Sequence, residues 1–460
     1  MTSWRPDRDT LKRPVYLSLV EQISGAVDAG ELSDGDRLPP QRMLAQELNI
    51  AVQTVSRAYD ELSRRGLVAG ETGRGTFITL RTHEPPPPYI NERGNTIVDL
   101  SMLKPVVEQM HLDRLAKALA DLATSFPANL STSFRPNVVF ARHRGVAVDW
   151  LRRCGLETNA RNVILTNGAT PAMVVALMTA TRSGMTLATE AIGHHTLPAL
   201  AGNLGLSLRG IPTDIEGMIP EALDKAAAEG EIGALFIMPN PCDPTVSMMS
   251  AGRREAIVDV ARRHDLTIIE NDAWGPLIEK CPPPLAALAP ERTLYITSFS
   301  KNVVPGLRYG YLVVPERLIP AAGNRHLVTN WMATPLIAEL ATRWIEDGTA
   351  LEMVLWQRRA LRRRQKIAAE TLAGIDYLSH PDALHIWIPL GSHRSEDEVV
   401  SLARLHDVAI APGASFRIEG DPKPAIRVCL GQPSEKELRA ALTVLAGILA
   451  SDPEPVLLTL

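Results

Sequence analysis

The run Thr297-Ser-Phe-Ser-Lys-Asn-Val-Val-Pro-Gly-Leu-Arg-Tyr-Gly-Tyr311 places Lys301 beside two hydroxyls, a Pro-Gly turn and an arginine. It follows Thr293-Leu-Tyr-Ile-Thr297, an apolar, β-branched run that reads as a short buried strand with a site at its end. A lysine held in a partly dry pocket has a lowered pKa, so it can be a neutral amine able to form a Schiff base with an aldehyde. Ser298, Ser300 and Arg308 supply what a phosphate group needs: two short hydroxyl donors and a planar guanidinium fork. An aldehyde and a phosphate on one molecule suggest pyridoxal 5'-phosphate (PLP). Taken alone, Ser-x-Ser-Lys is more often a surface lysine in a polar loop; the following Pro-Gly-Leu-Arg-x-Gly shifts the balance toward a site.

The elements that must position these groups alternate between strand and helix. Val163–Thr166, Leu187–Thr189, Ala234–Met238, Thr267–Glu270 and Leu294–Thr297 are short apolar strand patterns. Longer helical patterns separate them, among them Pro171–Ala180 and Ala251–His264. This is α/β logic with a mainly parallel sheet, whose ligand lies beyond the carboxyl ends of the strands. Thr166-Asn-Gly-Ala-Thr-Pro-Ala172 follows the first of these strands as a glycine-containing turn that opens a helix, and free amides at a helix start attract phosphate. By itself that segment is usually only a helix cap. Near the end, Ala425-Ile-Arg-Val-Cys-Leu430 reads as a strand ahead of a helix starting at Pro433-Ser-Glu-Lys-Glu437.

The block around Lys301, with these neighbours in register, resembles fold-type I PLP enzymes of the aspartate aminotransferase class over most of residues 98 to 460. The resemblance implies Lys301 as the Schiff-base residue, with Gly168, Ala169, Thr170, Ser298, Ser300 and Arg308 on the phosphate. It also implies that Arg427 forks onto a ligand α-carboxylate. Several positions depart from the class. The tyrosine that reaches the partner subunit's phosphate aligns with Phe134, which has no hydroxyl. The aromatic that stacks on the pyridine ring falls on His194, and the amide that donates to the ring's phenolic oxygen becomes Asp243. The aspartate beside the pyridine nitrogen falls position for position on Asn271; a shift of one residue gives that role to Asp272. Trp274 replaces a tyrosine whose hydroxyl also meets the phenolic oxygen. Such a site can capture PLP, while efficient transamination is not expected of it.

The first eighty residues have a different pattern. Pro14–Ala29, Gln41–Leu48 and Val52–Arg65 carry apolar residues at helical spacing, and Leu67–Ile78 holds two β-prone runs about a glycine-rich turn. Three helices and a hairpin make a winged helix-turn-helix, whose third helix can enter the DNA major groove. Leu38-Pro-x-x-Arg-x-Leu-Ala45, Gln53-Thr-Val-Ser-Arg-Ala58, Leu62-x-x-x-Gly-Leu-Val68 and Gly73-Arg-Gly-Thr-Phe77 resemble the GntR family in order and spacing. That resemblance makes Arg42, Gln53, Thr54, Ser56, Arg57, Arg65 and Arg74 the candidates for DNA contact. Arg42 and Arg74 would hold phosphates or the minor groove, while Gln53, Thr54 and Arg57 would face base edges or adjacent phosphates. Residues 1–80 contain ten Lys/Arg against eleven Asp/Glu, so net charge does not favour DNA; the motifs carry that expectation.

The order is therefore a winged helix-turn-helix (1–80), a spacer with an unbroken proline run from Pro85 to Pro88 (81–97), and an aminotransferase-like body (98–460). Together these resemble the MocR subgroup of GntR regulators. The implied function is a transcriptional regulator that binds PLP on Lys301, senses PLP or an amine or amino acid effector, and meets paired half-sites of double-stranded operator DNA as a homodimer. Two rival readings are a working aminotransferase with a vestigial head, and a DNA-binding regulator whose body is a cofactor-free scaffold. Composition fits a soluble protein, with 45% apolar and 22% charged residues and a formal charge of −4 among 460 residues. No uninterrupted apolar run suggests a membrane span, and the absence of a signal core points to the cytoplasm. Cys154, Cys242, Cys281 and Cys429 lack paired spacing and read as free thiols, with no metal site implied.

Overall fold

Hydrophobic spacing accounts for the elements at both ends of the chain in the computed structural model, which describes residues 4–33, 35–64, 67–71, 75–78, 97–132, 140–230, 232–391, 394–420 and 423–451. Two units are distinguished, Met1–Asn95 and Thr96–Leu460. In the first, α1 (Val15–Asp28) buries Leu19, Val20, Ile23 and Ala26, one stripe of a 3.6-residue repeat. α2 (Gln41–Leu48) buries Leu44, Ala45 and Leu48, then ends on Asn49 in the left-handed region. α3 (Val52–Arg64) turns Val55, Ala58, Tyr59 and Leu62 into the same core. The Tyr59 hydroxyl donates to the Pro39 carbonyl at 2.8 Å, tying α3 to the turn before α2. β1 (Val68–Glu71) and β2 (Gly75–Ile78) form the antiparallel hairpin expected from the glycine-rich turn.

In the second unit, β3 (Val98–Asp99) precedes the strands β4 (Val163–Thr166), β5 (Thr186–Glu190), β6 (Ser207–Ile211), β7 (Thr213–Asp214), β8 (Gly217–Met218), β9 (Ile232–Ile237), β10 (Thr267–Asn271), β11 (Thr293–Ser298) and β12 (Gly310–Val313). Seven of them form one sheet in the order β4-β12-β11-β10-β9-β5-β6. β12 is antiparallel to both neighbours and the other pairings are parallel. Ile268, Ile269, Leu294 and Ile296 are fully buried at its centre. The central strands are covered on both faces, which is why Ala234–Ile237 of β9 and the middles of β10 and β11 are apolar runs. Each such side chain removed from water contributes roughly 1.5–3 kcal/mol.

Toward the C-terminus, β13 (His385–Pro389), β14 (Val408–Ala409), β15 (Ala411–Pro412) and β16 (Ala425–Cys429) follow, with β13-β16-β15 making a three-stranded sheet. β14 pairs with β3, so the start of this unit is held by residues more than 300 positions later. The last helix, Glu435–Ala450, begins with Ser434 and Glu437 in a capping box, at the start signal read from the sequence. Parallel strands of the large sheet end on one side, and the turns leaving β4, β5, β9, β10 and β11 carry Gly168, His194, Asp243, Trp274 and Lys301.

Candidate functional site

Lys301 lies in the turn after β11, partly buried, with its ammonium or amine nitrogen donating to the Leu103 carbonyl. Burial lowers its pKa to about 8; Asp243 and Cys429 oppose that shift, and Arg427 and Arg308 add to it. A neutral amine is thus accessible near neutral pH, the requirement for attack on an aldehyde. The turn is pinned by the next residue: the buried Asn302 amide donates to Ser298 O at 3.1 Å and to Trp274 O at 2.9 Å. Asn302 therefore joins the ends of β10 and β11 and fixes where Lys301 starts.

An anion cradle faces this turn. Gly168, at φ 98°, caps the helix Ala169–Ala180, whose first free amides belong to Ala169 and Thr170. The Arg308 guanidinium lies against Gly168: a Cβ there would stand 2.9 Å from Arg308 Nη2. Arg308 Nη1 donates to the Ser300 hydroxyl at 3.2 Å. Gly310 permits the close approach of the two arms, since a Cβ on it would come within 2.7 Å of Thr297 O and 3.2 Å of both Gly168 C and Ser298 Cβ. A helix start, two hydroxyls and a guanidinium are thus brought together, which is the chemistry of a phosphate seat.

Strand geometry separates Asn271 from Asp272, because successive side chains leave opposite faces. Asp272 accepts from the Tyr295 hydroxyl at 2.5 Å and from the Gly275 amide at 3.1 Å. Burial raises its pKa, with Tyr295 and Asn240 pulling the other way. Asn271 instead extends toward Met173 of the helix Ala169–Ala180, and its buried side-chain oxygen has no hydrogen-bond partner among the described residues. Trp274 stacks near His385, with ring centroids 6.0 Å apart. His194 is half-buried, accepts or donates a 2.9 Å hydrogen bond with Thr196, and lies stacked with His195 at 5.1 Å. Burial, with His195, pushes the His194 pKa down to about 3, leaving a neutral ring.

Arg427, on β16, is the most constrained cation of this region. Its Nη1 donates to Asp243 Oδ1 at 2.6 Å and its Nη2 to Ser101 O at 2.6 Å, while the Phe416 ring lies 4.5 Å from its central carbon. Burial alone would raise the Asp243 pKa, but the Arg427 guanidinium bonded to it holds it below the usual carboxylate range. The fully buried His385 is pushed to about 4 by burial, so it too is neutral. Ser101, Leu103, Asn302, Phe416 and His385 were not singled out in the sequence. Only chain neighbours could have signalled Asn302; the others arrive from distant segments.

The DNA candidates lie in the first unit. Arg42 on α2 and Gln53 and Arg57 on α3 are exposed, with Thr54 and Ser56 half-buried between them. The Arg57 guanidinium sits 4.6 Å over the Tyr16 ring, a cation–π contact that orients it. Arg65, Arg74 and Phe134 lie outside the described residues. The cysteines of the described residues are free, no group of His, Cys, Asp and Glu there could hold a metal ion, and no helix there is long and apolar enough to cross a membrane.

Comparison with known proteins covers almost the whole chain. Residues 106–445 match the family Aminotransferase class I and II, and residues 15–78 match bacterial regulatory proteins of the gntR family. Uncharacterized HTH-type transcriptional regulator YdeF of Bacillus subtilis (strain 168) is 28% identical over 459 residues, spanning 97% of each chain. HTH-type pyridoxine biosynthesis transcriptional regulator PdxR of Corynebacterium glutamicum is 27% identical over 379 residues, spanning 78% of each. Among solved structures, an archaeal alanine:glyoxylate aminotransferase has a TM-score of 0.71 at 20% identity, covering 77% of this chain and 91% of its own. Pyrococcus horikoshii kynurenine aminotransferase has a TM-score of 0.70 at 19% identity, with the same coverage. At those identities the likeness speaks for fold alone.

Proposed function

We propose, from the premise that this chain belongs to the aminotransferase class I and II family and carries a gntR-family helix-turn-helix domain ahead of it, as in the MocR subgroup, that it is a DNA-binding transcriptional regulator whose body takes up PLP at Lys301 and senses PLP or an amino compound. The domain limits 1–80, 81–97 and 98–460 belong to the same proposal. The observation that carries it is the convergence of a lysine of lowered pKa with an anion cradle at the carboxyl end of the sheet. When bound, PLP supplies an aldehyde carbon for an amine. Gly168, Ala169, Thr170, Ser298, Ser300 and Arg308 would hold its phosphate, and Lys301 would offer its neutral amine to the aldehyde.

Capture without turnover is supported at Asn271. A carboxylate beside the pyridine nitrogen keeps it protonated and electron-withdrawing. Asn271 is neutral, and Asp272 is already engaged by Tyr295 and Gly275. An aminotransferase working at this site would need that carboxylate, so a sensor is favoured. A ligand acts on the DNA-binding head only through unequal affinity for two arrangements of the protein, and the form bound to paired half-sites is a homodimer working in the cytoplasm. The test is fluorescence anisotropy with labelled DNA from upstream of its own gene. Tight binding that changes on adding PLP, and that Arg57→Ala weakens at least about tenfold, is expected. DNA affinity indifferent to both PLP and Arg57→Ala contradicts the proposal.

A further inference from the structure

In the body, the guanidinium expected to receive a ligand carboxylate already has one. The two side chains of the Arg427–Asp243 pair are only 6% and 9% exposed. A carboxylate grips arginine best through two parallel N–H groups. Here one terminal nitrogen is given to Asp243 and the other to the Ser101 carbonyl, each at 2.6 Å, and Phe416 covers a face of the guanidinium plane. Of the Arg427 guanidinium nitrogens, only the buried Nε has no partner among the described residues; for a two-point grip an incoming α-carboxylate would have to displace Asp243 or the Ser101 carbonyl, and it would crowd a second carboxylate around one cation in a region sheltered from water. Breaking such a pair exposes the partner's full desolvation cost. Burial lowers the pKa of the His194, His195 and His385 rings, which disfavours a second cation there. Arg308 is committed to Ser300 in the phosphate cradle.

Asp243 also acts on Lys301, because its negative charge favours the protonated form of that amine. Asp243 thus offsets part of the positive charge that Arg427 and Arg308 place near Lys301, which eases the approach of a cationic amine, whereas an amino acid brings a carboxylate toward Asp243. We infer that Asp243 is a built-in substitute for the ligand carboxylate, and that the effector taken beside Lys301 is a small primary amine lacking a carboxylate. This rests on the reading of Lys301 as the PLP-binding lysine and narrows the effector within it.

Ethylamine and L-alanine differ only in the carboxylate, so they decide the matter when titrated into the full-length protein loaded with PLP, followed by calorimetry and visible absorbance. Ethylamine is expected to produce heat and a spectral change at concentrations at least about tenfold below L-alanine. Asp243→Asn, which keeps the side-chain shape and frees Arg427, is expected to reverse that preference. L-alanine binding to the wild-type protein as well as ethylamine, or no response to ethylamine, overturns the inference while the PLP band persists. Absence of any PLP band in the wild-type protein overturns the cofactor reading and this inference with it. The wild-type comparison stands without the variant if Asp243→Asn does not fold.

Discussion

The two units place charge in opposite settings. On α2 and α3, Arg42, Gln53 and Arg57 are exposed, within sixteen positions of one another, and are free to trade water for phosphate or base edges. In the body, Asp243 and Arg427 are buried, 184 positions apart, and paired with each other. A solvated surface cation contributes little to stability and much to association with a charged partner. A buried pair is the reverse: removing either member strands the other, while a ligand gains access only by replacing one of them. Under the proposed function, the head would meet a large polyanion and the body would select among small molecules.

Four comparisons sharpen that contrast. Asp243→Ala should destabilise the body by about 3–5 kcal/mol by leaving Arg427 buried and unpaired, whereas Arg42→Ala on the head should stay within about 0.5 kcal/mol. Urea unfolding midpoints measure both, and equal shifts would erase the distinction between buried and surface charge. Gly168→Ala should cost about 1–3 kcal/mol of PLP affinity, because its backbone is at φ 98° and its Cβ would press on Arg308. Calorimetry with PLP measures this; unchanged affinity would separate Gly168 from the phosphate seat.

The pH dependence follows from Lys301. Only the neutral amine attacks an aldehyde, and the neutral fraction rises with pH through a pKa of about 8. The rate at which the visible band grows after mixing with PLP should therefore climb from pH 6 and level off above about pH 9. A rate that keeps rising to pH 11 would mean an ordinary, solvated lysine. The smallest expected effect is on the head: Tyr16→Leu removes the ring beneath Arg57 and should weaken DNA binding by about 0.5–1 kcal/mol. Tyr16→Phe retains the ring and should leave anisotropy titrations unchanged; a similar loss in Phe would point to the hydroxyl instead.

Most of the architecture could be read from the chain because its cause is local. Val55, Ala58, Tyr59 and Leu62 repeat at the helix period, and Val163–Thr166 or Thr293–Ser298 are too apolar to face water on either side. β6 gives only a weak strand signal, for it is an edge strand in which Ser207 and Arg209 alternate outward. The strand patterns of the sequence stop short of β12, although Gly310 both begins that strand and lets it pass close to Gly168.

The site was legible where one segment supplies several groups, as with Ser298, Ser300, Lys301 and Arg308. It was illegible where partners come from afar: Ser101 meets Arg427 across 326 positions, and Leu103 meets Lys301 across 198. His385, between Leu384 and Ile386 on β13, looks in sequence like a core histidine. The choice between Asn271 and Asp272 depends on which face of β10 meets Tyr295 on β11, a fact about a neighbouring strand rather than about either residue.

The visible absorption spectrum of the purified full-length protein, before and after adding PLP, tests the body's assignment most directly when repeated with Lys301→Ala. A new band in the wild-type protein that is missing from the variant is expected. No band in the wild type, or the same band in both proteins, would contradict uptake of the cofactor at Lys301.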